Sequence, residues 1–374
     1  MITGDWIARP ETQAVMAMLT GAGHQALFVG GCVRNALLGA KVDDIDIATD
    51  ARPDRVMALA VAAGLRAVPT GIDHGTVTVI AGGLPHEVTT FRRDVATDGR
   101  HAVVAFADTA LEDAQRRDFT MNALYAQADG AVVDPLGGMA DLRARHVRFI
   151  GDARARIAED YLRILRYFRF HAWYGDAGAG MDPDALAAIA DSLDGLARLS
   201  RERVGKEAMK LLAAPDPAPA VAAMRAVGVL GAVLPGANDR ALAPLVHLGG
   251  VDPVLRLAAI TDPDTAETLR LSRADLRRLA ALRDAAMGAM GLPELGYRLR
   301  GDGRGAALLR AAFMEQPVDL AAVEAGVAAV FPVTAADLMP ALTGAALGAQ
   351  LAALESRWIA SGFALTRDQL LAGG

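Results

Sequence analysis

Two aspartates one residue apart, in Asp44-Ile45-Asp46, have the types and spacing to do chemistry. On an extended segment residues i and i+2 share a face, so both carboxylates would point the same way. A hard divalent cation, which takes oxygen ligands, suits such a pair. Two such ions can ready an attacking hydroxyl and steady a leaving pyrophosphate. A solvated acidic turn at a strand start fits the same residues, with Asp43 beside them. Glu87, in Glu87-Val88-Thr89-Thr90-Phe91, is a candidate third carboxylate or an ordinary outward-facing strand residue.

Upstream, Phe28-Val29-Gly30-Gly31-Cys32-Val33-Arg34 has the form of a strand, a glycine turn and a helix start. With no side chains at Gly30 and Gly31, a triphosphate could approach the backbone N–H groups, and Arg34 could add its fork of donors. Plain turn chemistry also explains the two glycines. Downstream, Arg116-Arg117-Asp118-Phe119-Thr120-Met121-Asn122 offers arginines for phosphate and Asn122 for a sugar hydroxyl, or a charged helix start with Asp118 near its cap. Residues 143–171 hold eight Arg against three acids, a phosphate-facing footprint or a solvated helix face. Within them, Asp160, Arg163 and Arg166 are three apart, and the spacing predicts one helix side. A carboxylate beside guanidinium donors could read the pairing edge of C or A; taken alone, the residues fit an intrahelical Asp–Arg pair with arginines on a solvated face better. Ser200-Arg201-Glu202-Arg203 predicts another capped helix start, able to hold RNA phosphate.

These residues need elements to hold them. Residues 25–142 alternate as strand and helix: strands at Gln25–Val29 and Ile45–Ala48, helices at Val33–Leu38 and Pro53–Ala63, and a hairpin of Thr76–Ile80 with His86–Phe91. The polar stretch Arg92–Val103 predicts a loop turning at Asp98-Gly99. Beyond about 143 the texture is helical, broken by Pro and Gly clusters. The expected fold class is α+β: a head of mixed sheet with helices at 1–142, a helical neck at 143–210 and a helical body and tail at 211–374.

The 374 residues are 53% hydrophobic and 5% aromatic, enough for a substantial core and more than one unit. A net charge of −6 excludes a protein that grips nucleic acid over its whole surface, so any RNA contact must be local. A single cysteine, Cys32, excludes an internal disulfide framework and fits the cytoplasm. Neither a signal peptide nor a membrane span is expected.

The order of these pieces is more specific than any one of them. Gly30-Gly31-x-Val33-Arg34, Asp44-x-Asp46, Glu87 to Arg92, Arg116 to Leu124, Gly137-Gly138-x2-Asp141-Leu142 and Glu159-Asp160-x2-Arg163-x2-Arg166 together resemble the bacterial-type (class II) tRNA nucleotidyltransferase and poly(A) polymerase family, of the DNA polymerase beta superfamily. The likeness covers roughly residues 25–207. It implies addition of C, C and A to the 3′ end of tRNA from CTP and ATP, with release of pyrophosphate. Asp44 and Asp46 would hold Mg2+, with Glu87 near it. Gly30, Gly31 and Arg34 would meet the triphosphate, Arg117 the incoming nucleotide and Asn122 its sugar. Asp160 and Arg163 would pair with the base, supported by Arg166 and Arg169. Arg92 to His101 resembles the family's flexible loop. Asn35 stands where the family usually carries Asp. Residues 206–374 have 16 basic and 17 acidic side chains and end without a basic tail, which favours tRNA over poly(A) addition. Enzymes adding only CC or only A share these motifs. A non-catalytic RNA-binding protein with a degenerate transferase head, and a transferase acting on a small molecule or protein, are readings of other classes.

Overall fold

The computed structural model describes residues 1–97 and 102–372. The chain divides into two compact units, one of Met1–Glu207 with Ala226–Ala232, the other of Ala208–Arg225 with Val233–Gly374.

The first unit opens with α1 (Asp5–Ala8) and α2 (Pro10–Thr20), then alternates β1 (Ala26–Val29), α3 (Gly31–Leu37), β2 (Asp46–Thr49), α4 (Pro53–Ala62), β3 (Arg66–Gly71), β4 (Thr76–Ala81) and β5 (Leu84–Thr90). With β8 (Tyr125–Ala126) and β9 (Val132–Val133) these strands form one sheet in the order β3-β4-β5-β2-β1-β8-β9. All neighbours run antiparallel except β2 and β5, which are parallel. The sheet is therefore mixed and the class is α+β, as the sequence implied.

Strand alternation sorts the side chains. Phe28, Ile47, Val88 and Val77 lie in one cross-strand row and are fully buried. That row faces α2 and α4, which supply Val15, Met16, Leu19, Val56 and Ala60 to the core. Buried His86 shares this face and bonds Thr12 of α2 at 3.1 Å. The opposite face carries the row Asp46–Glu87–Thr78. It also carries a second core of Leu27, Val29, Ala48, Phe91, Ala123 and Tyr125.

Two expectations need correction, and one strand carried no sequence signal. Arg92–Val103 is not simply a loop: β6 (Arg92–Thr97) and β7 (Ala102–Phe106) pair antiparallel, while the turn expected at Asp98-Gly99 lies outside the described residues. The strand β3 was not foreseen; its exposed, weakly apolar sequence lacks an alternating signal. Asp160, Arg163 and Arg166 do not share one helix. α7 (Ala153–Glu159) ends at Asp160, whose backbone is extended (φ −152°, ψ 105°), and α8 (Leu162–Tyr174) begins two residues later. The Asp160 carboxylate accepts from the Leu162 N–H at 3.0 Å, the short polar side chain competing with the helical ladder for a backbone donor.

α5 (Ala110–Gln115) lies between β7 and β8, and α6 (Gly138–Arg143) follows β9; α9 (Pro183–Ala190) and α10 (Arg201–Leu212) follow α8. Phe119, Phe149, Tyr167 and Phe170 pack ring on ring, with Phe149 and Tyr167 stacked at 5.5 Å. This cluster fixes α8 beside the 116–122 segment. The second unit is helical, and its Arg256, 2% exposed, donates to the carbonyls of Gly250, Leu212, Ala214 and Pro215. Among the described residues no helix is long and apolar enough to cross a membrane.

Candidate active site

Asp46 opens β2, and the parallel register sets it directly beside Glu87 of β5 on one face. Asp44 sits two residues before Asp46, with Ile45 between them turned into the core. The three carboxylates line one cavity of about 430 Å³, with Thr78, Arg9 and Trp6 at its margins. The Asp46 carboxyl is pushed up to about 6, first by burial, then by the charge of Glu87; Arg117 opposes this and Asp44 adds to it. Crowded anions of this kind favour a cation among them. Among the described residues no group of three or more His, Cys, Asp or Glu is placed to hold a metal ion by itself. A pair of carboxylates fits a hard divalent cation, for which one or two protein carboxylates can suffice while water or phosphate completes the shell.

A second cleft, about 310 Å³, is lined by Arg92, Arg116, Arg117, Asp118, Asn122, Asp160, Leu162, Arg163, Arg166 and Arg203. Six arginines against two aspartates make it cationic. Five of its arginines, Arg116, Arg117, Arg163, Arg166 and Arg203, are held by carboxylates. Asp113, 2% exposed at its side chain, binds Arg116 at 3.0 Å and Arg117 at 2.9 Å and accepts from the Tyr125 hydroxyl at 2.8 Å. Burial alone would raise the Asp113 carboxyl, but Arg117 and Arg116 hold it well below the usual carboxylate range. Burial likewise opposes the charge on Arg117, and Tyr125 and Asp113 more than restore it. Asp118 takes Arg166 at 2.5 Å and also accepts from Asn122 at 3.2 Å. Arg163 is held by Glu159 and by the carbonyls of Arg156 and Arg116. Asp160 receives Arg203 at 2.6 Å on the oxygen not used for its own helix cap.

The glycine turn adjoins this cleft. Gly30 has φ 69° and ψ −116°, a conformation that L side chains avoid. A Cβ there would also stand 3.3 Å from Arg117 Nη1 and 3.7 Å from Asn122 Oδ1. Arg34 is buried, donating to Asn122 Oδ1 at 2.7 Å and the Tyr174 hydroxyl at 2.9 Å.

The structure thus brings Asp44, Asp46 and Glu87 together in one cavity, and Arg117, Asn122, Asp160, Arg163 and Arg166 in another. Gly30 touches the second; Gly31 and Arg34 follow on α3. Arg169 stands apart from the lining, paired with Glu207 at 2.5 Å. Arg117 links the two cavities, since it lines one and its charge is felt by Asp46 in the other. Sequence reasoning missed Asp113, Tyr125 and Tyr174. Asp113 was findable, three and four residues before the paired arginines on a helical stretch; the tyrosines arrive only through the fold.

The family described as "Poly A polymerase head domain" matches residues 26–148, and "Probable RNA and SrmB-binding site of polymerase A" matches 180–240. The chain is 45% identical over 190 residues to human mitochondrial CCA tRNA nucleotidyltransferase 1, covering 50% of this chain and 44% of that protein. It is 39% identical over 251 residues to the CCA-adding enzyme of Geobacillus stearothermophilus, covering 67% and 57%. The chain spans about half the length of the curated relatives it matches. A solved structure, the Bacillus stearothermophilus CCA-adding enzyme in complex with CTP, superposes with a TM-score of 0.77 at 27% identity over 94% of both chains. With two family matches in order, and a fold shared along nearly its whole length, the chain belongs to the bacterial-type (class II) tRNA nucleotidyltransferase and poly(A) polymerase family.

Proposed function

We propose that this protein is a CCA tRNA nucleotidyltransferase, adding C, C and A to the 3′ end of tRNA from CTP and ATP without a nucleic-acid template. The observation that carries the reading is the adjacency of an open carboxylate set, Asp44, Asp46 and Glu87, to a cationic cleft through Arg117. The 3′-hydroxyl attacks the α-phosphorus of the nucleotide, one P–O bond forms, and the bond to pyrophosphate breaks. Arg117, aimed by Asp113 and Tyr125, binds the incoming nucleotide, whose triphosphate meets Gly30, Gly31 and Arg34. Asn122, its amide oriented by Arg34 and Asp118, holds the sugar. Asp160 and Arg163 present the base-pairing edge, with Arg166 and Arg169 in support. Asp44 and Asp46 would hold Mg2+, which lowers the charge cost at the reacting phosphate and readies the hydroxyl.

The domain reading goes with this function: residues 1–142 as catalytic head, 143–210 as base-recognising neck, 211–374 as tRNA-binding body and tail. The cytoplasm is the compartment we propose, in keeping with one buried cysteine whose thiol burial pushes up to about 11. Incubating the protein with tRNA lacking its 3′ end, with CTP alone, ATP alone and both, tests the reading. Short defined CCA products are expected. Long A tails would make it a poly(A) polymerase, addition of only CC or only A a partial enzyme, and no extension of any RNA would remove the assignment.

A further inference from the structure

Arg34 is 6% exposed, yet its guanidinium meets no carboxylate at ion-pair distance among the described residues. Its Nε and Nη2 donate to Asn35 Oδ1 at 3.3 and 3.1 Å, Nη1 donates to Asn122 Oδ1, and Nη2 also donates to the Tyr174 hydroxyl. The Tyr174 ring covers it at 4.0 Å. Neighbouring arginines are treated differently: Arg117 has Asp113, Arg163 has Glu159, Arg166 has Asp118 and Arg203 has Asp160. Burial consequently pulls the Arg34 guanidinium below its ordinary value. Asp118 favours the Arg34 charge from a distance and Arg169 opposes it, but a buried cation whose hydrogen-bond partners are all neutral stays costly until an anion arrives. The amide of Asn35 is itself anchored, donating to the Lys41 carbonyl at 3.0 Å.

The place where the anion would arrive is also defined. A Cβ on Gly31 would lie 3.9 Å from Arg34 Nη2, and one on Gly30 3.3 Å from Arg117 Nη1, so two guanidinium groups flank the glycine turn.

We propose that Asn35 sets the affinity of this turn for the polyphosphate of the nucleotide, because its amide aligns the Arg34 fork without discharging it. A carboxylate of the same shape would keep the alignment, remove the net charge and lose the bond to Lys41. The proposal rests on the nucleotide-binding reading above and names the residue that tunes it.

The test uses the full chain and inorganic tripolyphosphate, titrated calorimetrically in metal-free buffer. Asn35→Asp is expected to bind about tenfold more weakly than wild type, the loss of one favourable charge interaction near a partly buried anion. Asn35→Ala, which loses the Lys41 bond and both bonds from Arg34 but leaves Arg34 charged, is expected to bind about threefold more weakly than wild type. The new ion pair should also place the Tm of Asn35→Asp above that of Asn35→Ala. Equal binding by Asn35→Asp and wild type overturns the proposal while leaving the nucleotide site standing. So does equal weakening in both variants, which would make Asn35 a tether only, or a Tm for Asn35→Asp at or below that of Asn35→Ala. A short RNA oligonucleotide is titrated in parallel; weakening of RNA with tripolyphosphate unchanged also overturns it, giving Arg34 to the RNA backbone. Failure of wild type to bind tripolyphosphate at all overturns the nucleotide-site reading and this proposal together.

Discussion

Asp113 lines neither cavity, yet it sets where Arg117 points. Its two oxygens serve Arg116, Arg117, the Tyr125 hydroxyl and the Arg92 N–H. Asp113→Asn keeps the shape and removes the charge, so KM for the nucleotide should rise several-fold while the fold persists. Steady-state kinetics with a fixed RNA would check this. The same carboxyl makes a pH prediction. Its folded value lies below the ordinary one, so the stability it contributes is present above about pH 4 and fades as pH falls toward the folded value. Thermal melts from pH 5 downward should show wild type losing Tm more steeply than Asp113→Asn. At the proposed catalytic pair, Asp46→Ala should abolish transfer and leave RNA binding intact, and metal-dependent turnover by that variant would refute the assignment. At the proposed base-reading pair, Asp160→Ala should relax the choice between C and A more than it lowers total incorporation. Each mismatched polar group left unpaired costs about 1–3 kcal/mol, and that penalty is what the variant gives up. Unchanged selectivity with lost incorporation would count against the role.

At the scale of elements, the parallel β2–β5 pairing and the break between α7 and α8 do the positioning. The pairing sets Asp46 and Glu87 side by side, although they are far apart in the chain. The break frees Asp160 from the helical register, so it meets Arg203 of α10 rather than Arg163 of α8. Between β1 and α3, Gly30 holds a backbone conformation closed to other residues. Gly30→Ala should cost about 1–3 kcal/mol of stability from backbone strain alone. The added methyl also meets Arg117, so nucleotide affinity should fall with Tm. A variant that lost Tm and bound CTP as wild type does would show that the turn supports the fold only. Much of this scale was legible: the glycine turn, the hairpin and the helix after Pro53 all carry local signals. The α7–α8 break was not, because three residues spaced by three satisfy a helix pattern whether or not the ladder is interrupted.

At the scale of the whole molecule, two compact units carry different kinds of polar burial. In the first, buried carboxylates such as Asp113 and Asp118 are paired with arginines around clefts. In the second, Arg256 is buried to hold four backbone carbonyls where the chain turns between helices. Arg256→Met keeps the volume and strands those acceptors, so the second unit should lose about 3 kcal/mol or more, since each buried unpaired carbonyl costs about 1–3 kcal/mol. Hydrogen exchange should show protection lost in residues 208–225 and 242–260 first, with the sheet of the first unit unchanged. Uniform loss across both units would argue that they unfold as one.

By itself the chain's order of residues determined the α+β class, the helical remainder, the spacing of Asp44 and Asp46, and the roster of basic side chains from 116 to 169. Those features are local: they depend on alternation, capping and turn chemistry within a few residues. Which arginine meets which carboxylate was decided only by tertiary structure. Asp113 with Tyr125, Asp118 with Arg166, Asp160 with Arg203 and Arg34 with Tyr174 are matched by sheet register and by the aromatic packing of α8. Several guanidinium groups compete for few carboxylates, and only the packed geometry says which pairs can close to hydrogen-bond distance.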